Sequence, residues 1–209
     1  YVIHYLYREK EKQAQLLNIL DECKKAGNED MVFQFCSTSK ISFPGAGVAA
    51  MSSSKNNIKD ILDRLKFQTI GHDKTNQLRH VKYFKNFNGL LSHMMKHSDL
   101  LRPKFEATLE ILDKELGNLN IAKWNKPLGG YFISFNATNG CAKNIVKLCK
   151  DAGVTLTGAG AAFPYKKDPN DSNIRLAPSL PPVKEIKMAM NLFTKCVKLA
   201  TVKKLLSNY

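Results

Sequence analysis

No two cysteines of this chain form a C-x-x-C pair, and the five present (Cys23, Cys36, Cys141, Cys149, Cys196) stand singly among apolar residues. Their odd number and wide spacing fit neither a zinc ligand set nor a disulfide framework, and read as reduced core thiols of a cytoplasmic protein. Long apolar runs are missing as well: none approaches the length of a membrane span, and none reads as a secretory signal. There is no internal repeat and no low-complexity tract. Carboxylates are scarce, 18 against 32 lysines and arginines, which leaves a net charge of +14. An excess of that size invites a nucleic-acid partner, but the clustered arginines and interleaved aromatics of such a face are absent. The lysines are spread over nearly every helical stretch and are densest at Lys195, Lys198, Lys203 and Lys204. That distribution favours a solvated lysine-rich surface over a nucleic-acid site.

What is present suits an ordinary globular chain: 209 residues, 44% hydrophobic and 24% charged, enough for one or two domains with a sizeable core. The first residue is tyrosine rather than methionine, and Tyr1-Val2-Ile3-His4-Tyr5-Leu6 reads as an interior strand, so the sequence reads as a piece of a longer protein. Helical spacing over 13–26, closed by Gly27, and a strand at Met31–Cys36 complete a strand–helix–strand unit of the kind that builds parallel sheets. A short apolar run at Gly47–Met51 leads into a helix carrying Ile58, Ile61, Leu62 and Leu65, and then into a polar helical stretch from Asp73 to Asn86. A long helix over 90–116 is interrupted by Pro103, the place for a hinge; beyond it Phe105, Leu109, Leu112 and Leu116 form one stripe, ended by Gly117. The character then changes. Tyr131–Phe135 alternates as a half-buried strand, Ile145, Leu148, Cys149 and Ala152 mark a helix ended by Gly153, and Val154–Thr157 and Ile174–Leu176 are short strands. A long helix from Pro182 carries Ile186, Met190, Phe193 and Val197. The expected architecture is α/β over residues 1–100 and an α+β lobe over residues 101–209.

The residue with the most chemical promise is Lys40. It follows the apolar strand within Ser37-Thr38-Ser39-Lys40 and is closed by Pro44-Gly45-Ala46-Gly47. A lysine desolvated there would lose its proton readily and become a nucleophilic amine, while Ser37 and Ser39 beside a glycine-rich turn can receive a phosphate. An amine and phosphate-binding hydroxyls are the parts a pyridoxal phosphate site needs. Arg175, in Asn173-Ile174-Arg175-Leu176-Ala177-Pro178, can grip a carboxylate with two parallel hydrogen bonds, which a lysine cannot do. In Pro127-Leu128-Gly129-Gly130-Tyr131-Phe132 the glycine pair lets backbone pass close to a site. Two other patterns carry less. His93 and His97 stand four apart on a helix, but no glutamate follows His93 and no metal site is assigned. Gly158-Ala159-Gly160 lacks the third glycine of a dinucleotide fingerprint.

The order and spacing of these elements, together with Thr157-Gly158-Ala159-Gly160-Ala161-Ala162-Phe163-Pro164-Tyr165, resemble the C-terminal half of class I, fold-type-I aminotransferases. The likeness is nearest to the bacterial aspartate aminotransferases often labelled MocR-like, and it runs through essentially the whole chain. The resemblance implies the end of the cofactor-binding large domain, a mostly parallel sheet with helices, over residues 1–100, and an α+β small domain over residues 101–209. It implies pyridoxal 5′-phosphate as cofactor, amino acids and 2-oxo acids as substrates (aspartate with 2-oxoglutarate), and a homodimer with sites at the subunit interface. On the same ground Lys40 is the lysine that joins the cofactor and, once displaced by substrate, moves the proton between the substrate α-carbon and cofactor C4′. Arg175 holds the substrate α-carboxylate beside Gly130, Ser37 and Ser39 serve the cofactor phosphate, and Tyr1 bonds the cofactor's phenolic oxygen.

Two positions depart from the family pattern. Val48 stands where the common pattern has an arginine phosphate ligand, eight residues after the lysine. The aspartate that meets the pyridine nitrogen falls three residues before Tyr1 and so outside the chain, which leads to the expectation that these 209 residues are inactive alone. An alternative from another class is an aminotransferase-like domain that senses the cofactor within a DNA-binding transcriptional regulator.

Overall fold

Apolar periodicity sets where the helices of this chain form, and side-chain caps set where they begin. The computed structural model describes residues 5–13 and 15–207. Among these the chain divides into two compact units, residues 15–96 and residues 5–13 with 97–207.

In the first unit, α1 (Ile19–Lys25) opens where the Asn18 side chain accepts a hydrogen bond from the Leu20 amide at 3.3 Å. The helix expected over 13–26 is therefore shorter, because asparagine caps a helix more readily than it continues one. β1 (Gln34–Ser37) pairs antiparallel with β2 (Ala49–Ser52), setting Ser37 opposite Ala49. α2 (Lys55–Gln68) is capped by Ser54, and α3 (Lys74–Phe84) by Asp73, whose carboxylate accepts from the Asn76 amide at 2.9 Å. The parallel pairing expected of the strand–helix–strand unit is not seen among the described residues. Four of the six residues of its opening strand, 1–4, lie outside them, and the ladder that β1 does make is antiparallel.

α4 (Phe87–Leu116) passes through Pro103 without ending, so the expected interruption is absent. The proline ring removes one N–H, the donor to the Asp99 carbonyl, but the helix stays in place because Leu101, Phe105, Leu112 and Leu116 are buried around it.

The second unit holds a three-stranded antiparallel sheet of β3 (Ala122–Trp124), β4 (Ile133–Ala137) and β5 (Asn173–Leu176), with β4 central. Buried and exposed residues alternate along β4 as its sequence predicts. Phe135 sits at the middle of the core, stacked on Trp124 at 6.0 Å and met edge-on by Phe193 at 5.0 Å. α5 (Ala142–Asp151) and α6 (Val183–Leu206) contribute Ile145, Cys149, Ile186, Phe193 and Val197 to the same core. The strand expected at Val154–Thr157 does not form. The Val154 amide donates to the Cys149 carbonyl at 2.8 Å, with Gly153 at φ +90°, so that segment is committed to closing the end of α5. The N-terminal segment joins this unit through an isolated antiparallel bridge, Tyr5 to Gly129, and the fully buried Leu6. Among the described residues no helix is long and apolar enough to cross a membrane.

Candidate active site

Lys40 lies three residues past the end of β1, in a turn whose backbone is closed on itself. The Thr38 carbonyl accepts from the amides of both Ile41 and Ser42 at 2.8 Å. The Thr38 amide donates to the Val48 carbonyl at 2.9 Å, and the Val48 amide donates to the Thr38 hydroxyl at 2.9 Å. Val48, standing where an arginine was expected, thus spends both backbone groups on fixing this turn. Gly47 lies so close that a Cβ there would come within 2.9 Å of the Ser39 backbone, which restricts the position to glycine. Ser37 and Ser39 are exposed, with their hydroxyls 2.9 Å apart and the Ser39 amide donating to the Ser37 hydroxyl at 3.1 Å. Lys40 itself is exposed, so the expected desolvation is not found. An exposed amine next to paired hydroxyls is a donor set that fits a phosphate ester carrying a carbonyl group.

Beneath the turn lies a side chain that the sequence did not single out. His80, on α3, is only 8% exposed, in a unit where few side chains are covered. Its Nδ1 faces the Asn76 carbonyl at 2.9 Å, and its Nε2 lies 2.6 Å from the Ser42 hydroxyl and 3.1 Å from that of Thr38. Asn76 in turn donates from its side chain to the Ala46 carbonyl at 2.8 Å. The available signal was the pair Asn76 and His80, four apart and therefore on one face of an otherwise polar helix.

Arg175, in the second unit, sits on β5 opposite Ser134 of β4, with its guanidinium over the Phe132 ring at 4.5 Å from the centroid. Its Nε is buried and has no hydrogen-bond partner among the described residues. A buried guanidinium N–H left unpaired is costly, and a carboxylate is the ligand that resolves it. Gly130 adopts φ +85°, a backbone that side-chain-bearing residues avoid, and follows Gly129, which is bridged to Tyr5. Burial pushes the neighbouring Tyr131 hydroxyl up to about 12, so it serves as a hydrogen-bond donor rather than a base at neutral pH. Tyr1, the remaining expected cofactor contact, lies outside the described residues. Gly160 of the set-aside glycine pair donates its amide to the Asn173 carbonyl at 3.0 Å, a structural closure against β5.

The loop that delivers Arg175 to β5 is organised by Asp168. Partial burial pushes its carboxyl upward, but the amides of Asn173, Ser172 and Asn170 and the Ser172 hydroxyl outweigh that and hold it below the ordinary value of 3.8. A carboxyl depressed in the folded state stabilises the fold above its unfolded value, and that contribution is lost as pH falls from about 4 through the folded value. Asp168→Asn is expected to cost about 1–3 kcal/mol at pH 7 and to flatten the stability profile below pH ~4. Denaturant melts of the two proteins across that range check it; parallel profiles would show that the carboxylate is not the organising group.

The model of the aspartate amino-transferase family matches residues 1–209. The chain belongs to that family. An aspartate aminotransferase of Corynebacterium glutamicum is 42% identical over 200 residues, covering 96% of this chain and 46% of the relative. The crystal structure of an aspartate transaminase from the same species superimposes with a TM-score of 0.92 at 41% identity, over 98% of this chain and 47% of that one. An α-aminoadipate aminotransferase from Thermus thermophilus, solved with N-(5′-phosphopyridoxyl)-L-leucine, gives a TM-score of 0.73 at 18% identity over 95% of this chain, which speaks to fold alone. The chain spans about half the length of the relatives it matches. Its mixed α/β architecture is that of the C-terminal part of the pyridoxal-phosphate transferase fold.

Proposed function

We propose that the full-length protein is a pyridoxal-phosphate-dependent aminotransferase of fold type I that moves the amino group between aspartate and 2-oxoglutarate. The observation that carries this reading is the Lys40 turn: one exposed amine, beside two serine hydroxyls, on a backbone fixed by Thr38 and Val48 within a chain matched throughout by an aminotransferase family. When bound, pyridoxal phosphate supplies a carbonyl that condenses with amines and a ring that withdraws electrons from the attached carbon. Lys40 would hold the cofactor, and its amine, when free, would act as the base that moves the proton of the substrate α-carbon. Ser37 and Ser39 donate to the phosphate. Arg175 binds the substrate α-carboxylate in a two-pronged contact, with the backbone at Gly130 leaving room beside it. Tyr1 donates to the phenolic oxygen of the cofactor.

In this reading residues 1–100 end the large, cofactor-binding domain and residues 101–209 form the small one. Membership of the MocR-like subgroup, a homodimer and a cytoplasmic location complete the proposal. The matched relatives are named as aminotransferases, which favours an enzyme over the cofactor-sensing regulator. Reduction with borohydride after addition of pyridoxal phosphate, followed by peptide mapping, is expected to place the phosphopyridoxyl group on Lys40 of the full-length protein. The 209-residue chain alone, with half the length of its relatives, is expected to bind weakly and not to transaminate. Labelling at another lysine, or tight binding and turnover by the 209 residues alone, contradicts the corresponding part of the proposal.

A further inference from the structure

Two histidines from different helices bond residues on either side of Lys40, His80 through side-chain hydroxyls and His93 through a backbone carbonyl, and neither belongs to the set of residues assigned above. His80 of α3 meets Thr38 and Ser42, two residues before and two after the lysine. His93 of α4 meets the residue directly after it: its Nε2 lies 2.8 Å from the Ile41 carbonyl. The tautomers follow from the partners. A carbonyl oxygen only accepts, so the His80 proton that donates to Asn76 is on Nδ1, and in the uncharged ring Nε2 is left to accept. The Thr38 hydroxyl has a proton free for it, whereas Ser42 Oγ, 2.6 Å from Nε2, also lies 3.1 Å from the Thr38 carbonyl to which it can donate instead. In His93 the assignment is reversed. Nε2–H donates to Ile41, and Nδ1 accepts from the Tyr83 hydroxyl at 3.3 Å.

The rings are themselves fixed. Phe43 meets the His80 ring edge-on at 5.3 Å, and Tyr83 and Phe84 meet the His93 ring at 5.5 and 5.4 Å. Phe43 belongs to the loop that closes the turn, so the aromatic cluster joins that loop to both helices. The bonds to His80 and His93 reach residues 38, 41 and 42, while the Lys40 side chain remains exposed.

We propose that His80 and His93 are positioning residues for Lys40: they hold its Cα still while its amine leaves and returns during each turnover. The inference rests on the assignment of Lys40 as the cofactor lysine. A nucleophile that must detach and return is rate-competent only if it returns to the same arc, and displacement of a reacting group by about 1 Å can cost roughly 10²-fold in rate. The lysine stem is flexible, so rigidity has to come from the backbone, and few other side chains of this unit are buried enough to supply it.

The test compares variants that keep or lose the polar atom at the ring's ε position. In the full-length protein, His80→Phe and His93→Phe are each expected to lower kcat by about 10–100-fold with KM changed by less than about threefold. Glutamine, which places its amide near the ε position, is expected to restore most of the rate at either site; asparagine, which reaches only the δ position, is not. The second readout needs no cofactor. In cofactor-free protein, amide hydrogen exchange of the peptide spanning residues 38–42 is expected to rise roughly tenfold or more in the phenylalanine variants while the rest of the protein exchanges as before. Unchanged exchange at 38–42, or equal behaviour of glutamine and asparagine, overturns the proposal. A Lys40→Ala protein that kept its turnover would refute the cofactor role alone, and the exchange pattern would still report whether the two histidines hold the turn.

Discussion

Replacing Lys40 with alanine in the full-length protein is expected to lower transamination by about 10³-fold or more and to remove the cofactor absorbance that depends on the covalent link. On the proposed role two functions would be lost together, attachment of the cofactor and proton transfer at the α-carbon, and no neighbouring group on the turn can replace either. Ser37, Thr38, Ser39 and Ser42 carry hydroxyls that are far weaker bases than an amine. The substitution leaves the fold intact. The side chain is exposed, and the bonds that close the turn run between the backbone and hydroxyls of Thr38, Ile41, Ser42 and Val48. Stability within about 0.5 kcal/mol of the parent is therefore expected, which separates a chemical loss from unfolding. Steady-state kinetics, an absorbance spectrum and a denaturant melt on the same sample decide the matter; retained turnover would remove Lys40 from the mechanism.

The second large effect concerns Arg175. Arg175→Ala is expected to lower kcat/KM by about 10²–10³-fold, because a charge-assisted, two-pronged contact to carboxylate is worth about 3–4 kcal/mol. The loss should fall mainly on KM, since on the proposed role Arg175 would hold the carboxylate before and during the reaction alike. Arg175→Lys should recover only a small part. Lysine keeps the charge but not the planar fork, and it also loses the stacking that holds the guanidinium over Phe132 at 4.5 Å. Amines without a carboxylate supply the control: their slow turnover should be indifferent to either change. A variant whose KM for aspartate and 2-oxoglutarate stayed at the parent value would show that Arg175 serves the fold instead.

Much of the second unit was legible because its core obeys simple periods. The stripe of Phe105, Leu112 and Leu116, the alternation read over Tyr131–Phe135 and found, two residues further on, along Ile133–Ala137, and the helix carrying Ile145 and Cys149 are each set by burial on one side of a regular element. Errors occur where local chemistry competes with the period. Asn18 captures a helix start, Val154 is drawn into closing α5, and the burial around Pro103 overrides the cost of its missing N–H. β3 was not foreseen, since three residues are too few to show alternation. At the candidate site, Lys40 and its small-residue loop could be read because tight turns demand glycine, as Gly47 against Ser39 illustrates. His80 could not be read in the same way. Its one signal, the i, i+4 pairing with Asn76, does not stand out on a polar helix, and its importance depends on a loop some forty residues away in the chain. Arg175 lies between these cases: its strand was evident, whereas the buried Nε, without a partner among the described residues, is visible only in three dimensions.

The bridge between Tyr5 and Gly129, with the Leu6 amide donating to the Leu128 carbonyl at 3.1 Å, also bears on how the protein is made. Leu6 leaves the ribosome about 120 residues before its partner. At ordinary rates of synthesis that is a delay of roughly 6–24 s. For that interval an apolar side chain destined for full burial has no socket, because the socket is built from sequence not yet translated. The unit comprising residues 97–207 is likewise incomplete as a contiguous stretch: excised at residue 97, it would present the groove that Leu6 fills to solvent. The two pieces of chain that make this core are therefore neighbours in space that meet late in time, and the order of their meeting is fixed by the direction of translation.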